Sequence, residues 1–207
     1  MPAHWLLLGK LIEDSDAMIA VPDYPLAPKA NAEQAIQSLR ECYQYFFDYA
    51  NPETITCMGD SSGGGMSVVL SQQLLHGTTP LPSQLILFSP WLDTTLNNPA
   101  IAAQDKIDPF LGLEGLHSAA KWYSADLGLQ HPLVNPMRGP VAGLPPITLF
   151  IGSRDLLLPD CERFRDNVTA AGGAMDYYCC PHMLHLWMFL PVAEAKKVYR
   201  TVVSKLN

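Results

Sequence analysis

Positive charge is scarce in this chain and nowhere concentrated. Its 13 Lys and Arg are scattered against 20 Asp and Glu, for a formal net charge of -7. A surface for polyanions needs clustered cations, so nucleic acid is not an expected partner. No segment approaches the roughly 18 consecutive apolar residues of a spanning helix, and no membrane span is expected. The first ten residues, MPAHWLLLGK, place no basic region before the apolar run and show no small-residue cleavage pattern, unlike a secretory leader. The five cysteines, Cys42, Cys57, Cys161, Cys179 and Cys180, are odd in number and lack C-x-x-C spacing. They fit a reducing compartment better than a disulfide framework, and a soluble cytoplasmic protein is the expectation. His117 and His131 fall in separate loops with no H-E-x-x-H or comparable spacing, so no metal site is expected either.

What is present is an alternation of short apolar runs with amphipathic stretches. Trp5, Leu8, Leu11 and Ile12 recur at helical spacing, and residues 17–21 then read as a short buried strand ending at Pro22. Residues 32–49 read as a helix with an inward stripe of Ala35, Leu39, Cys42, Tyr43 and Phe46. Strands are expected at 54–58, 84–89, 146–151 and 175–180, and helices at 66–76, 160–171 and 191–206. The 18 prolines sit at element ends, without a low-complexity tract. At 207 residues, with no linker-like segment, one α/β domain spanning 1–207 is the economical expectation. Its sheet would be mostly parallel with helices on both faces, and a mixed loop and helix insertion at about 97–128 would lie near the ligand-facing edge. Functional groups should gather at the carboxyl ends of the strands.

The most specific motif is Gly59-Asp60-Ser61-Ser62-Gly63, a G-x-S-x-G run between a predicted strand and a predicted helix. In that context a sharp turn lifts a serine hydroxyl above the sheet, which makes Ser61 the candidate nucleophile. Glycine beside it relieves the crowding of a strained turn. The backbone N–H of Ser62 is the expected oxyanion donor. Asp155 follows the strand at 146–151, and His185 falls between the last strand and the terminal helix. Ser, Asp, His is the chain order of the α/β-hydrolases, with all three residues just past strand ends. His185 would move the proton and Asp155 would hold its tautomer.

Other readings compete. Asp155 can instead be a turn former, His182 competes for the base, and Asp93 competes less well for the acid. Asp160 reads as the N-cap of the following helix. Asp60, adjacent to Ser61, reads as a hydrogen-bonding brace for the turn. Trp91, Phe110, Trp122 and Tyr123 serve either a binding surface or the core.

Gly59 to Gly64, together with Asp23-Tyr-Pro-Leu-Ala-Pro28, Gly152-Ser-Arg-Asp-Leu156 and the loop 181–185, resembles the hormone-sensitive-lipase-like branch of the α/β-hydrolases. That family consists of carboxylesterases acting mainly on short acyl esters. The resemblance implies a triad of Ser61, Asp155 and His185, a bracing role for residues 24–28, a small-molecule ester substrate, and no metal or organic cofactor. A serine peptidase could use the same three residues. Two departures stand out. The residue after the family's catalytic histidine is usually glycine, and here it is Leu186. Family members also carry a His-Gly-Gly-Gly loop with further oxyanion donors, ahead of the region matching residues 3–5, and no such run precedes Tyr24. The resemblance therefore implies a serine carboxylesterase on an N-terminally truncated fold, with a weakly active hydrolase scaffold that binds a ligand or partner as the alternative. An exposed edge strand at 17–21 would favour a homodimer.

Overall fold

A computed structural model describes residues 2–47 and 49–207, with the side chains of Pro2 and Pro52 outside the described set. Four strands, β1 (Thr56–Asp60), β2 (Gln84–Phe88), β3 (Ile147–Gly152) and β4 (Met175–Cys180), pair in parallel in the order β1-β2-β3-β4. Parallel neighbours need crossovers. These are α3 (Ser62–Leu74) between β1 and β2, α4 (Ile101–Gln104) and α5 (Leu113–Ser124) between β2 and β3, and α6 (Leu158–Ala170) between β3 and β4. Ahead of the sheet lie α1 (Pro2–Asp14) and α2 (Ala32–Phe46), and α7 (Ala193–Leu206) closes the chain. This is an α/β-hydrolase fold with fewer strands than the full pattern.

The strand period of two sorts the core onto two faces. Leu85, Leu87, Leu149 and Ile151 meet Phe164 and Val168 of α6 on one side. Ile86, Phe88 and Phe150 meet Leu11 of α1 and Val198 and Val202 of α7 on the other. Burying side chains such as Phe150 and Phe164 contributes about 1.5–3 kcal/mol each, so the central strands carry much of the sheet's stability.

Several boundaries differ from expectation. Residues 17–21 form no strand: they have no ladder partner among the described residues, with half-buried and exposed positions alternating over 17–20. Strand pairing is made by neighbours, and among the described residues none pairs with this run. The homodimer argument resting on an edge strand there therefore loses its basis. In α1 it is Leu7 and Leu11 that turn inward, against α7 and the 3-10 turn Trp187–Phe189, while Trp5 is 66% exposed. Helix α2 starts at a reciprocal cap, Asn31 Oδ1 accepting from Gln34 N–H and Gln34 Oε1 accepting from Asn31 N–H, both at 3.1 Å. It ends at Phe46; the expected extension to Tyr49 includes Asp48, outside the described residues. Helix α6 begins at Leu158, because Pro159 fits its first turn, so Asp160 sits inside the helix and Leu157 occupies the N-cap.

Candidate active site

The carboxyl ends of β1, β3 and β4 bring the expected residues together. Ser61 follows β1 directly, held by its N–H to Phe88 O at 2.9 Å, while its carbonyl accepts from Trp91 N–H at 2.8 Å. It sits at φ 50, ψ -117, a region that non-glycine residues rarely adopt. The reason for tolerating it is local: a Cβ on Gly59 would come within 2.3 Å of Gly63 O, so only glycine lets the strand pass this close to the helix start. Gly63 does not share that constraint, since a Cβ there meets nothing within 4 Å. The steric argument thus holds for the first glycine of the motif and not for the last.

His185 Nε2 lies 3.2 Å from Ser61 Oγ, and His185 Nδ1 lies 2.9 Å from Asp155 Oδ2. The Asp155 and His185 side chains are 0% and 2% exposed. The other Asp155 oxygen accepts from Leu157 N–H at 3.0 Å, fixing the carboxylate from the far side. With Asp155 accepting, Nδ1 carries the proton and Nε2 is left as an acceptor for the serine hydroxyl. The two loops are tied to each other as well. Arg154 N–H donates to Met183 O at 2.9 Å and His182 N–H to Ser153 Oγ at 2.7 Å. The residue after the histidine, Leu186, sits left-handed at φ 55, ψ 30, the conformation that glycine adopts without strain. Ser62 opens α3, where the first N–H groups of a helix lack intrahelical partners and the helix dipole favours negative charge.

A family model described as the alpha/beta hydrolase fold matches residues 1–189. The chain belongs to the α/β-hydrolases. Among solved structures, an esterase of the bacterial hormone-sensitive lipase family superposes with a TM-score of 0.93 at 27% identity, covering 98% of this chain and 69% of its own. An esterase from Acinetobacter venetianus is 34% identical over 170 residues, 81% of this chain and 56% of that protein. An acetyl-hydrolase from Streptomyces hygroscopicus is 27% identical over 186 residues, 89% and 62% respectively. This α/β-hydrolase therefore spans roughly three-fifths of the curated relatives it matches and is related to the hormone-sensitive-lipase-like carboxylesterases.

The competing residues lie elsewhere. His182 is exposed at φ 64, and its backbone N–H donates to Ser153 Oγ. Asp93 is buried away from His185, accepting from Thr95, Asn135 and Arg163; burial raises its pKa, but these hydrogen bonds outweigh burial and the net shift is downward. Asp160 behaves oppositely. Burial pushes it up to about 6 despite hydrogen bonds from Asn98 and contact with Arg163. Asp60 pairs with His4 of α1 at 3.0 Å, as a brace would. Tyr24 packs on Ala35, Ile36 and Met66, anchoring residues 24–28 against the start of α3. Trp91 is core, while Tyr123 is half-buried against the α2–α3 contact.

Two residues of the site escaped the sequence reading in their real roles. Phe110 is 63% exposed and its ring stacks on His185 with centroids 5.9 Å apart. Asp108 holds it there: Oδ1 accepts from Phe110 N–H at 2.7 Å, and Oδ2 accepts from Leu156 N–H at 2.6 Å, next to Asp155. The Asp108-Pro109 pair signals a turn in sequence, but not what the turn is fastened to.

Proposed function

We propose that this α/β-hydrolase is a serine carboxylesterase of short acyl esters, with Ser61 as nucleophile, His185 as general base and acid, and Asp155 as the orienting carboxylate. One observation carries the reading: an unbroken hydrogen-bonded line, Ser61 Oγ to His185 Nε2 at 3.2 Å and His185 Nδ1 to Asp155 Oδ2 at 2.9 Å. Ser61 Oγ attacks the ester carbonyl while His185 Nε2 takes its proton, and the negative charge on the carbonyl oxygen is met by the Ser62 N–H. The tetrahedral species collapses, and the alcohol leaves with the proton returned by His185. Water, deprotonated by His185, then attacks the acyl-Ser61 ester and releases the carboxylic acid. Asp155, accepting from the Nδ1–H, offsets the imidazolium charge. The small-molecule partner is the ester, and Phe110 supplies an apolar wall beside the histidine.

A second reading, a hydrolase core that turns over slowly by itself, is favoured by the open flank of the Ser61 turn. Gly59, Asp60 and Gly63 border a large cleft where further oxyanion donors would have to come from. Lacking one such donor costs about a hundredfold to a thousandfold in rate. Hydrolysis of p-nitrophenyl acetate by the chain beside its Ser61→Ala variant separates the two. Rapid turnover lost in the variant is expected for the esterase, and a folded protein equal to the variant would sink it.

A further inference from the structure

The loop that carries Asp155 is gripped from two flanks. On one, Arg154 N–H donates to Met183 O and His182 N–H to Ser153 Oγ, which joins it to the loop of His185. On the other lie the end of α4 and its connection to α5, residues 104–112, and here the ties are made by side chains. Gln104 Nε2 donates to Ser153 O at 2.9 Å, Arg154 Nε and Nη2 donate to Ile107 O at 3.3 and 3.2 Å, and Asp108 Oδ2 accepts from Leu156 N–H at 2.6 Å. The Asp108 tie differs from the other two in what it holds. The N–H groups that follow Asp155 are those of Leu156, Leu157 and Leu158. Leu157 N–H donates to Asp155 Oδ1 at 3.0 Å and Leu158 N–H to Asp155 O at 3.0 Å, so both are satisfied within the turn. Leu156 is 0% exposed, and among the described residues the acceptor for its N–H is Asp108. That N–H belongs to the planar peptide group joining Asp155 to Leu156, so its direction fixes the backbone from which the Asp155 carboxylate projects. A buried N–H without an acceptor is unfavourable, and without Asp108 that peptide would turn elsewhere.

The other oxygen of the same carboxyl group is occupied as well. Asp108 Oδ1 accepts from Phe110 N–H at 2.7 Å and from Leu111 N–H at 3.0 Å, and the Phe110 ring stacks on His185. One side chain therefore reaches the triad from two directions, the acid through Leu156 and the base through Phe110. The geometry points to Asp108 as a positioning residue for the hydrolysis: it sets the Asp155–Leu156 peptide so that Asp155 Oδ2 meets His185 Nδ1, without itself touching the reacting atoms. This inference rests on the esterase reading of Ser61, His185 and Asp155. The bridge needs an acceptor at each end. Asparagine has the same size but a single acceptor oxygen. It forms the turn at Phe110 as readily as aspartate does, which leaves its NH2 group facing the Leu156 N–H, donor against donor.

The test compares p-nitrophenyl acetate hydrolysis by the wild-type chain, Asp108→Asn, Asp108→Ala and Gln104→Ala. Each kcat is expressed per Ser61 that a fluorophosphonate labels at completion, so that a misfolded fraction does not count. Gln104→Ala removes a tie of the same segment that does not reach the Asp155–Leu156 peptide. In Asp108→Asn kcat should fall about tenfold or more with KM within about threefold, Asp108→Ala should lose at least as much, and Gln104→Ala should stay within about twofold of wild type. A wild-type kcat in Asp108→Asn, a loss confined to KM, or an equal loss in Gln104→Ala would overturn the inference while leaving the esterase reading intact. If neither Asp108 variant folds by circular dichroism while Gln104→Ala does, Asp108 is a structural tie and the inference is equally overturned. A folded wild-type chain no faster than Ser61→Ala overturns the esterase reading and takes this inference with it.

Discussion

The two sides of this sheet are built to different standards. On the β2–β4 side, the strands are bonded to neighbours, β2 and β3 are buried nearly throughout, and the loops carrying Asp155 and His185 are fastened to each other. On the β1 side, every strand residue is half-buried, and the outward backbone groups face a cleft instead of a strand. Both β1 and β4 are edge strands of this sheet; what differs is that the loop after β4 is tied to the loop after β3, whereas the outward side of β1 borders a cleft. The contrast teaches that the Ser61–His185–Asp155 line depends on local loop ties around four strands, whereas the environment of the oxyanion depends on what borders β1. Ser61 sits where the two regimes meet.

The sharpest way to break the comparison is at that junction. Ser61→Ala should abolish hydrolysis of p-nitrophenyl acetate, by about a thousandfold or more if the esterase reading holds, with the circular dichroism spectrum unchanged. Asp155→Asn should cost about a hundredfold to ten-thousandfold in kcat, because an amide at that position no longer enforces the Nδ1–H tautomer. A smaller loss would mean that the well-fastened side is not what orients His185. Gly59 and Gly63 test the packing directly. Gly59→Ala drives a Cβ to 2.3 Å from Gly63 O and should destabilise by about 2–3 kcal/mol in urea unfolding. Gly63→Ala, with its Cβ in the open cleft, should change stability by less than about 1 kcal/mol.

The smallest effect is electrostatic. Burial holds Asp160 up at about 6 in the folded chain, above the unfolded value of about 3.9. Between those values the folded state binds more protons than the unfolded one, so this group's contribution makes stability fall as pH rises from about 4 to about 6. Asp160→Asn should flatten that window, a difference on the order of 1–2 kcal/mol across it, read by urea midpoints at pH 4.5 and 6.5.

Much of the well-fastened side was legible in the sequence. The apolar runs of β2, β3 and β4 are bounded by Pro, Gly and Ser, and their ends fall within a residue or so of expectation, which puts Asp155 and His185 past strand ends by local signals alone; β1 spans Thr56–Asp60, two residues later than the expected 54–58, so that Ser61 follows it directly. The open side was misread for a physical reason. Residues 17–21 have strand composition, but a strand exists only through its partners, and the partner side of this run is a cleft. The inward face of α1 was misplaced similarly, because Trp5 and Leu7 are equally apolar and only the position of α7 chooses between them. Asp160 reads as a cap when α6 is started two residues late, just past Pro159, a proline that belongs to the first turn. The Phe110 contact with His185 spans 75 residues and leaves no periodic trace.

The most direct measurement is the site of covalent modification by a fluorophosphonate, which reacts only with an activated serine. After incubation with the chain and proteolysis, mass spectrometry should locate a single phosphonate adduct on Ser61, and the adduct should disappear in His185→Ala. An adduct on Ser62, or none on a folded chain, would contradict the account.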